Sequence, residues 1–478
     1  MLLMELDLDA CYEAIRSRDA RFDGRFFTGV TSTGIYCRPI CPARTPGRRN
    51  VRFFPFAAAA EEAGFRPCRR CRPDRSPSSP DWDWRGDLVG RALRLIGEGT
   101  ADREGIPGVA DRLGVSERHL RRLFVSELGA APGSVARTHR TQLARRLIEE
   151  SSMSISAVAL ASGFSSIRRF NATMQDTFGR TPTAMRRASG GTASPGCTLR
   201  LPFRAPFASE DVLSYLRGRA TPGVESVGPG HYRRSVDIDG SRGIVEIALE
   251  DSGEMRLHAH LDSVAALAAV VRRSRHLFDL DADPGVISTH LSGDPKLRST
   301  LAALPGLRVP GSFDGFELAV RAILGQQVSV RAATTLAGRL VAAFGEPMAQ
   351  PDGPLTHYFP SPHRLTDAPI AQIGLPERRA ATIATLAHAV ASGDIVLDGT
   401  ADMTETKTKL IALPGIGPWT VAYIAMRALR DPDSFLPSDL GIKHALTKLG
   451  IDPKDNRDER WRPWRSYATL YLWASLAT

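Results

Sequence analysis

T-G-I-Y-C-R-P-I-C (33–41) and G-F-R-P-C-R-R-C (64–71) are the stretches that decide how this chain begins to fold. They set Cys37 and Cys41 at C-x3-C spacing, and Cys68 and Cys71 at C-x2-C spacing. Two tight pairs separated by a loop place four thiolates around one tetrahedral Zn²⁺. The ion replaces a hydrophobic core that so small a segment could not build alone. Arg38, Arg44, Arg48, Arg49, Arg52, Arg66, Arg69, Arg70 and Arg72 surround the pairs. A zinc site amid that much positive charge points to a phosphate-bearing partner.

The chain of 478 residues is long enough for about three domains. With 42% hydrophobic and 24% charged residues it has ample apolar content for real cores. No apolar run reaches the ~20 residues needed to span a bilayer, so no membrane partner is expected. The opening M-L-L-M-E-L-D-L-D-A carries acids where a secretory signal carries lysine or arginine, and a cytoplasmic location is expected. That compartment disfavours disulfides and strengthens the zinc reading. Cys11 and Cys197 have no nearby cysteine and are expected to be small hydrophobes or surface thiols. The net charge of +10 is unevenly held: residues 1–75 and 76–197 carry +5 each, and 198–478 are neutral. Whatever the last stretch binds, net charge alone does not account for it.

The Pro/Ser-rich R-P-D-R-S-P-S-S-P-D-W-D-W (72–84) reads as a linker, and A-S-G-G-T-A-S-P-G (188–196) as a second break. R-F-F-T-G-V-T-S-T-G-I-Y-C (25–37) predicts strand, turn, strand; A-A-A-A-E-E-A-G-F (57–65) predicts a short helix ending at Gly64. The middle stretch predicts helices with arginine on their polar faces. The last stretch opens with strand-like pieces at 233–250 and 255–261, and is expected to be helical beyond residue 260.

A zinc held by four thiolates carries formal charge −2, and its sulfurs stay deprotonated at neutral pH. Such a thiolate is a soft nucleophile suited to a methyl carbon. Most four-cysteine sites are purely structural, so spacing alone does not give chemistry. T-S-T-G-I-Y-C-R-P-I-C-P-A-R, with G-F-R-P-C-R-R-C downstream, closely resembles the N-terminal domain of the Ada adaptive-response proteins over residues 9–74. The resemblance implies that Cys37 takes a methyl group from a DNA methylphosphotriester, once and irreversibly, with Cys41, Cys68 and Cys71 as co-ligands. It also implies a switch. Methylation makes a thiolate a neutral thioether, moves the site from −2 toward −1, and lowers repulsion against DNA phosphate while the arginines remain. Arg44 matches a family position for a phosphate or base contact.

In I-P-G-V-A-D-R-L-G-V-S-E-R-H-L-R-R-L-F (106–124) a short helix meets a turn at Gly114, and Ser116 is placed to cap a second helix. Leu120, Leu123 and Phe124 share a packing face, and Arg118, His119, Arg121 and Arg122 lie largely elsewhere. This is helix-turn-helix grammar. A second copy turns at Gly163 and continues through S-S-I-R-R-F-N-A-T-M-Q-D-T-F (165–178) into G-R-T-P. The pair resembles the AraC/XylS regulators over residues 86–187. It implies DNA contacts from Arg118, Arg121, Arg122, Arg168 and Arg169, to bases or to phosphates. Zinc unit followed by AraC-type unit is the Ada order. Those proteins usually end in a guanine-O6 methyltransferase with a P-C-H-R motif. None of the six cysteines here is followed by His-Arg, so no O6-methylguanine repair is expected.

L-P-G-I-G-P-W-T-V-A-Y-I-A-M-R-A-L (413–429) sets two glycines about a turn, with Pro418 where a helix would start. Read bare, it is equally a plain helix–helix connection. As a hairpin it would offer backbone N–H groups, at Gly415 and Gly417, to a phosphate without positive side chains. In F-L-P-S-D-L-G-I-K-H (435–444), Asp439 alone would be a helix cap. Together the two segments resemble the helix-hairpin-helix, Gly-Pro, Asp superfamily of DNA glycosylases. V-R-A-I-L-G-Q-Q-V-S-V (320–330), L-F-D-L (277–280) and W-R-P-W-R-S-Y-A-T-L-Y-L-W (461–473) narrow the resemblance to AlkA-type 3-methyladenine glycosylases over residues 199–475.

The resemblance makes Asp439 the catalytic carboxylate, stabilising the sugar cation, aligning water, or both. It places Trp419, Tyr423 and Trp473 in the pocket for a flipped-out cationic base. Trp419 stands where bifunctional relatives carry a Schiff-base lysine, which implies a monofunctional enzyme. Gln327 occupies the position of an apolar wedge in some relatives, and its polarity leaves that role open.

The expected fold class is multidomain α+β: a small zinc-bound α/β domain (1–75), an all-α double helix-turn-helix domain (85–187), and a glycosylase with a small β-sheet subdomain (198–280) and a helix-hairpin-helix bundle (281–478). The expected partners are double-stranded DNA, alkylated and promoter, and RNA polymerase, with the chain a monomer. The rival expectation is a transcriptional regulator whose glycosylase-like domain is a catalytically inactive DNA-binding platform.

Overall fold

The computed structural model describes residues 7–77, 87–188, 197–250, 254–452 and 455–476. They fall into two compact units, Met1–Pro202 with Arg256–Arg272, and Phe203–Met255 with Arg273–Thr478.

The first unit opens with the helix Leu8–Ser17, whose N-terminal amides are capped by the Asp7 carboxylate. A four-stranded sheet follows, β1 (Phe27–Val30), β2 (Ile35–Cys37), β3 (Val51–Phe54) and β4 (Arg66–Pro67), in the order β3-β1-β2-β4. β1 pairs antiparallel with β2, bringing Thr28 opposite Cys37, and β2 runs parallel to β4. The predicted strand–turn–strand and the short helix Ala57–Glu62 are both present, the latter closing at Gly64 with φ +88°. On β2, side chains alternate: Tyr36 is fully buried, with its ring 5.8 Å from Phe27, and Cys37 lies on the opposite face.

The helical half of the first unit comprises Leu88–Gly97, Gly105–Arg112, Glu117–Leu128, Pro132–Glu150, Ile155–Ala161, Ile167–Phe178 and shorter turns. Ser116 caps Glu117–Leu128 through the His119 N–H, and Ser166 caps Ile167–Phe178 through the Arg169 N–H. Gly114 and Gly163 take the left-handed turns, φ +68° and +78°. The zinc half and this half share one core. The helix Ala57–Glu62 packs on Pro132–Glu150, and Tyr36, Phe54 and Phe65 join Leu120, Phe124 and Val135. The half-buried Glu61 carboxyl ties the seam, accepting from Tyr36 Oη at 2.8 Å and Thr138 Oγ1 at 2.5 Å.

The expected linker at 72–84 is therefore only partly a linker. Pro73–Arg75 forms a 3-10 turn, and Asp74 is buried. Arg72 pairs with Asp74 at 2.7 Å and also with Glu149, and Arg145 lies 3.2 Å from Asp74. A compositional signal for flexibility lost here to buried ion pairing. Residues 78–84 of the expected linker, and 189–196 of the second break, lie outside the described residues.

Further along the first unit's chain comes β5 (Cys197–Leu201). In the second unit β6 (Glu225–Gly228), β7 (His231–Ile238) and β8 (Ser241–Leu249) form an antiparallel meander, with Asp237 opposite Arg242 across the turn. β9 (Met255–Leu261) completes the predicted strand set. Beyond residue 260 the expectation of helix alone is corrected. β10 (Glu346–Asp352) and β11 (Leu355–Tyr358) form a hairpin lying against β7, where Ser235 Oγ donates to the His357 carbonyl at 2.6 Å. Pro347 and Pro351 hid this strand from a reading by propensity.

The helices Gly315–Leu324, Val330–Phe344, Glu377–Ala391, Met403–Ala412 and Pro418–Arg427 contribute to one core, in which the first packs against Glu377–Ala391 and Pro418–Arg427. Met403–Ala412 and Pro418–Arg427 are the arms of the predicted hairpin, with Pro418 at the first helical position. Gly415 has φ +89°, and a Cβ there would collide with Thr382, so this turn requires glycine.

Candidate metal centre and aromatic cleft

Cys37 closes β2, and Cys41 follows in a turn closed by its N–H to the Arg38 carbonyl at 3.1 Å. Cys68 follows β4, with its N–H on the Tyr36 carbonyl at 2.9 Å, and Cys71 lies one turn on. The sheet register thus sets all four sulfurs within 4.8 Å of one another. Cys68 and Cys71 are buried, and Cys37 and Cys41 are partly exposed. The Arg38 N–H donates to Cys71 Sγ at 3.3 Å. As thiols the four share protons. Cys37 is pushed up by hydrogen bonding to Cys41, Cys68 and Cys71, and Cys68 is pulled far down, first by Cys37. Such a cluster readily exchanges protons for a cation. A cavity of about 430 Å³ opens over Cys37, with Arg44, Arg69, Arg70 and Thr28 in its lining. The Thr28 hydroxyl is buried and has no hydrogen-bond partner among the described residues.

Arg118, Arg121 and Arg122 are exposed on Glu117–Leu128, and Arg168 and Arg169 on Ile167–Phe178. The opposite faces, Leu120 with Phe124 and Phe170 with Met174, are fully buried. Each helix therefore offers a cationic face that its own packing leaves free.

In the second unit one cleft of about 1380 Å³ gathers Asp439, Trp419, Tyr423, Trp473, Gln327, Gly415 and Gly417. Asp439 caps the helix Leu440–Lys448 through the Ile442 N–H at 3.0 Å. Its two oxygens also accept indole N–H bonds, from Trp473 at 2.9 Å and Trp419 at 3.1 Å. The cap is thus also the floor of an aromatic cleft. Trp419 stacks on Tyr423, centroids 5.1 Å apart at 8°, and Trp473 on Tyr215 at 6.5 Å and 20°. Gln327 is exposed at the rim in the left-handed region, φ +57°. Its neighbour Gln326 donates to the Gly415 carbonyl at 3.0 Å, fastening the hairpin turn to the cleft.

Four families match in succession: "Metal binding domain of Ada" at residues 10–74, "Helix-turn-helix domain" at 109–188, "AlkA N-terminal domain" at 198–314, and "HhH-GPD superfamily base excision DNA repair protein" at 320–464. The probable bifunctional transcriptional activator/DNA repair enzyme AlkA of Mycobacterium tuberculosis is 48% identical over 484 residues, covering 99% of this chain and 97% of that protein. The chain belongs to this family of bifunctional transcriptional activators and DNA repair enzymes. DNA-3-methyladenine glycosylase 2 of Escherichia coli is 38% identical over 282 residues, 57% of this chain and 95% of that protein. The structure of 3-methyladenine DNA-glycosylase from Archaeoglobus fulgidus shares the fold, with TM-score 0.52 at 23% identity over 57% of this chain and 97% of that one.

In this family setting the four-cysteine cluster holds one zinc ion. No described helix is long and apolar enough to cross a membrane. Tyr215, Arg219 and Arg427 are among the cleft residues that escaped the sequence reading. Arg427 lies one helical turn after Tyr423 and donates to its oxygen at 2.8 Å, an i,i+4 spacing that could have been noticed. Tyr215 and Arg219 come from 208 and 204 residues before Tyr423 and carried no local signal. Cys11 and Cys197 are buried, and burial pushes their thiols up to about 11 and about 12, as expected of small hydrophobes.

Proposed function

We propose that this chain accepts a methyl group from DNA methylphosphotriesters on Cys37, activates transcription once methylated, and hydrolyses the N-glycosidic bond of alkylated bases such as 3-methyladenine. The four parts would be 1–75, 85–187, 198–280 and 281–478, acting as acceptor, promoter reader, and the two halves of the glycosylase. The observation that supports acceptance is a partly exposed Cys37 in a cavity rimmed by arginine. Bound zinc keeps the four sulfurs as thiolates at neutral pH. The Cys37 sulfur attacks the methyl carbon, an S–C bond forms, the C–O bond breaks, and its electron pair leaves on the phosphodiester. No base regenerates the thioether, so each chain acts once. Arg44, in the lining of that cavity, would hold the diester.

The observation that carries the repair reading is Asp439, fixed by two indole N–H groups beneath stacked aromatics. A base alkylated on a ring nitrogen is cationic, suits that wall, and leaves as a neutral molecule with the glycosidic electron pair. Asp439 then faces the positive sugar and the incoming water, which gives up a proton to leave an abasic site. With Trp419 where a lysine would be needed, no amine attacks the sugar. Gly415 and Gly417 offer backbone to DNA phosphate, and Gln327 stands at the mouth where the flipped nucleotide passes. Arg118, Arg121, Arg122, Arg168 and Arg169 serve promoter DNA, and RNA polymerase is the expected partner of a monomeric, cytoplasmic activator.

The test uses the full chain. Methylated DNA should release free 3-methyladenine, detected by chromatography, and mass analysis should find one methyl group on Cys37. Release that is absent, or unchanged in Asp439→Asn, favours a regulator with an inactive glycosylase fold. A methyl group found elsewhere, or nowhere, removes the acceptor role.

A further inference from the structure

The aromatic cleft contains a charge that excision as described does not use. Arg427 is 3% exposed, and its donors go to the carbonyls of Pro310 (2.7 Å) and Gly311 (2.8 Å) and to the Tyr423 oxygen (2.8 Å). Among the described residues no carboxylate pairs with it. Arg219 sits 3.8 Å from the centre of the Tyr215 ring, also without a carboxylate. The neighbouring arginines differ: Arg234 and Arg321 are matched by Glu317 and Glu225 at 2.7 and 2.9 Å. Arg427, buried, and Arg219, partly exposed and donating to the Tyr215 carbonyl at 3.3 Å, thus line one wall without a carboxylate. A guanidinium cannot shed its proton, and leaving it buried and unpaired is costly. A cationic base would meet that wall against its own charge.

The hydrogen bonding points to the remedy. The Tyr215 and Tyr423 oxygens are 3.3 Å apart. Among the described residues they have only each other and Arg427 as partners. Two hydroxyl protons and a guanidinium N–H therefore converge on two oxygens, and one hydroxyl proton has nowhere to go but solvent. We propose that the Tyr423 hydroxyl gives up its proton around neutral pH to become the counter-anion of Arg427 and Arg219, and that its negative ring gives the cleft its preference for cationic over neutral bases. This rests on the excision reading and deepens it.

The electrostatics agree. Burial pushes the Tyr423 hydroxyl up, but Arg427 and Arg219, with hydrogen bonds from Tyr215 and Arg427, outweigh it and bring it down to about 7. Tyr215 moves the other way, raised chiefly by burial. The charged groups facing Tyr423 are Arg427 on its own helix, Arg219 after the helix Ser209–Arg217, and Arg321 on Gly315–Leu324 with Glu225 and Glu317 behind it. Asp439 lies beyond Trp419, bonded to its indole. Above its midpoint Tyr423 presents an anion stacked on Trp419, which strengthens the attraction of the wall for a cation.

The full-length zinc-loaded chain tests this in two ways. Ultraviolet titration should show one of the eight tyrosines ionising near pH 7. That transition should vanish in Tyr423→Phe, and persist at higher pH in Tyr215→Phe, which removes a donor but keeps Arg427. Separately, excision of a cationic base (3-methyladenine) relative to a neutral one (hypoxanthine) should rise roughly three- to tenfold between about pH 6 and pH 8 in the wild type. In Tyr423→Phe that extra rise should be absent. The proposal is overturned if no tyrosine ionises below about pH 9, or if the two selectivity profiles run parallel. Release of neither base at any pH overturns the excision reading and the selectivity with it. The ultraviolet titration still decides the phenolate.

Discussion

Asp439 accepts the indole N–H of Trp473 at 2.9 Å, so the carboxylate at the cleft floor and one wall of the cleft hold each other in place. Because the same oxygen caps the helix Leu440–Lys448, a change at this position separates capping from the proposed chemistry. In Asp439→Asn the amide oxygen still serves as a cap, so stability should fall by less than about 1 kcal/mol. The negative charge is gone, and the amide N–H₂ meets an indole N–H. Excision should drop by roughly 10²-fold or more, read by base release in single-turnover assays.

Zinc should be worth far more than catalysis to the first unit. Cys68→Ala removes a buried ligand from beside β4 and the aromatic core around Tyr36 and Phe65. Metal content should fall from one ion per chain toward none. Several kcal/mol of stability should go with it, since structural zinc binding is itself folding free energy of roughly 10 kcal/mol or more. Metal analysis beside thermal melts of wild type and variant checks both.

Glu61 gives a pH signature at the seam. Burial raises its carboxyl above the ordinary value, with Thr138 and Tyr36 acting in opposition. A raised folded value means its contribution is fully present below the unfolded value, about 4.3, and is lost as pH climbs through the folded one. Glu61→Gln cannot ionise. Its stability relative to wild type should therefore improve as pH rises above the usual carboxylate range, measured by urea midpoints across a pH series.

The exposed arginines of the two helix-turn-helix motifs should divide by role. Replacing one of Arg118, Arg121, Arg122, Arg168 or Arg169 by alanine should lower the salt-dependence slope of promoter binding by about 1 if that side chain meets phosphate. A base-reading arginine should instead relax sequence preference at one position, at about 1–3 kcal/mol.

Residues whose roles are set by local spacing were legible in the sequence. The cysteine pairs, Ser116 as a cap, Gly415 at the turn and Pro418 at the helix start all do in the structure what spacing required. What was not legible depends on partners far away in the chain. Asp74 is fixed by Arg72 beside it and by Arg145, 71 residues on, so a stretch that reads as linker folds. β10 and β11 are held by Gly223 and Ser235, over a hundred residues earlier, despite two prolines. Tyr215 and Arg219 enter the cleft on the same terms, and a one-dimensional pattern cannot show it.

The common core of Tyr36, Ala57–Ala60, Phe124 and Val135 has a consequence for gene architecture. A recombination crossover within the Pro/Ser-rich stretch would strand an alanine helix without its bed and leave Thr138 facing a missing carboxyl. The cysteine-cluster half and the helical half must therefore be inherited as a matched pair, and chimeras built at that seam should aggregate unless both faces come from one parent.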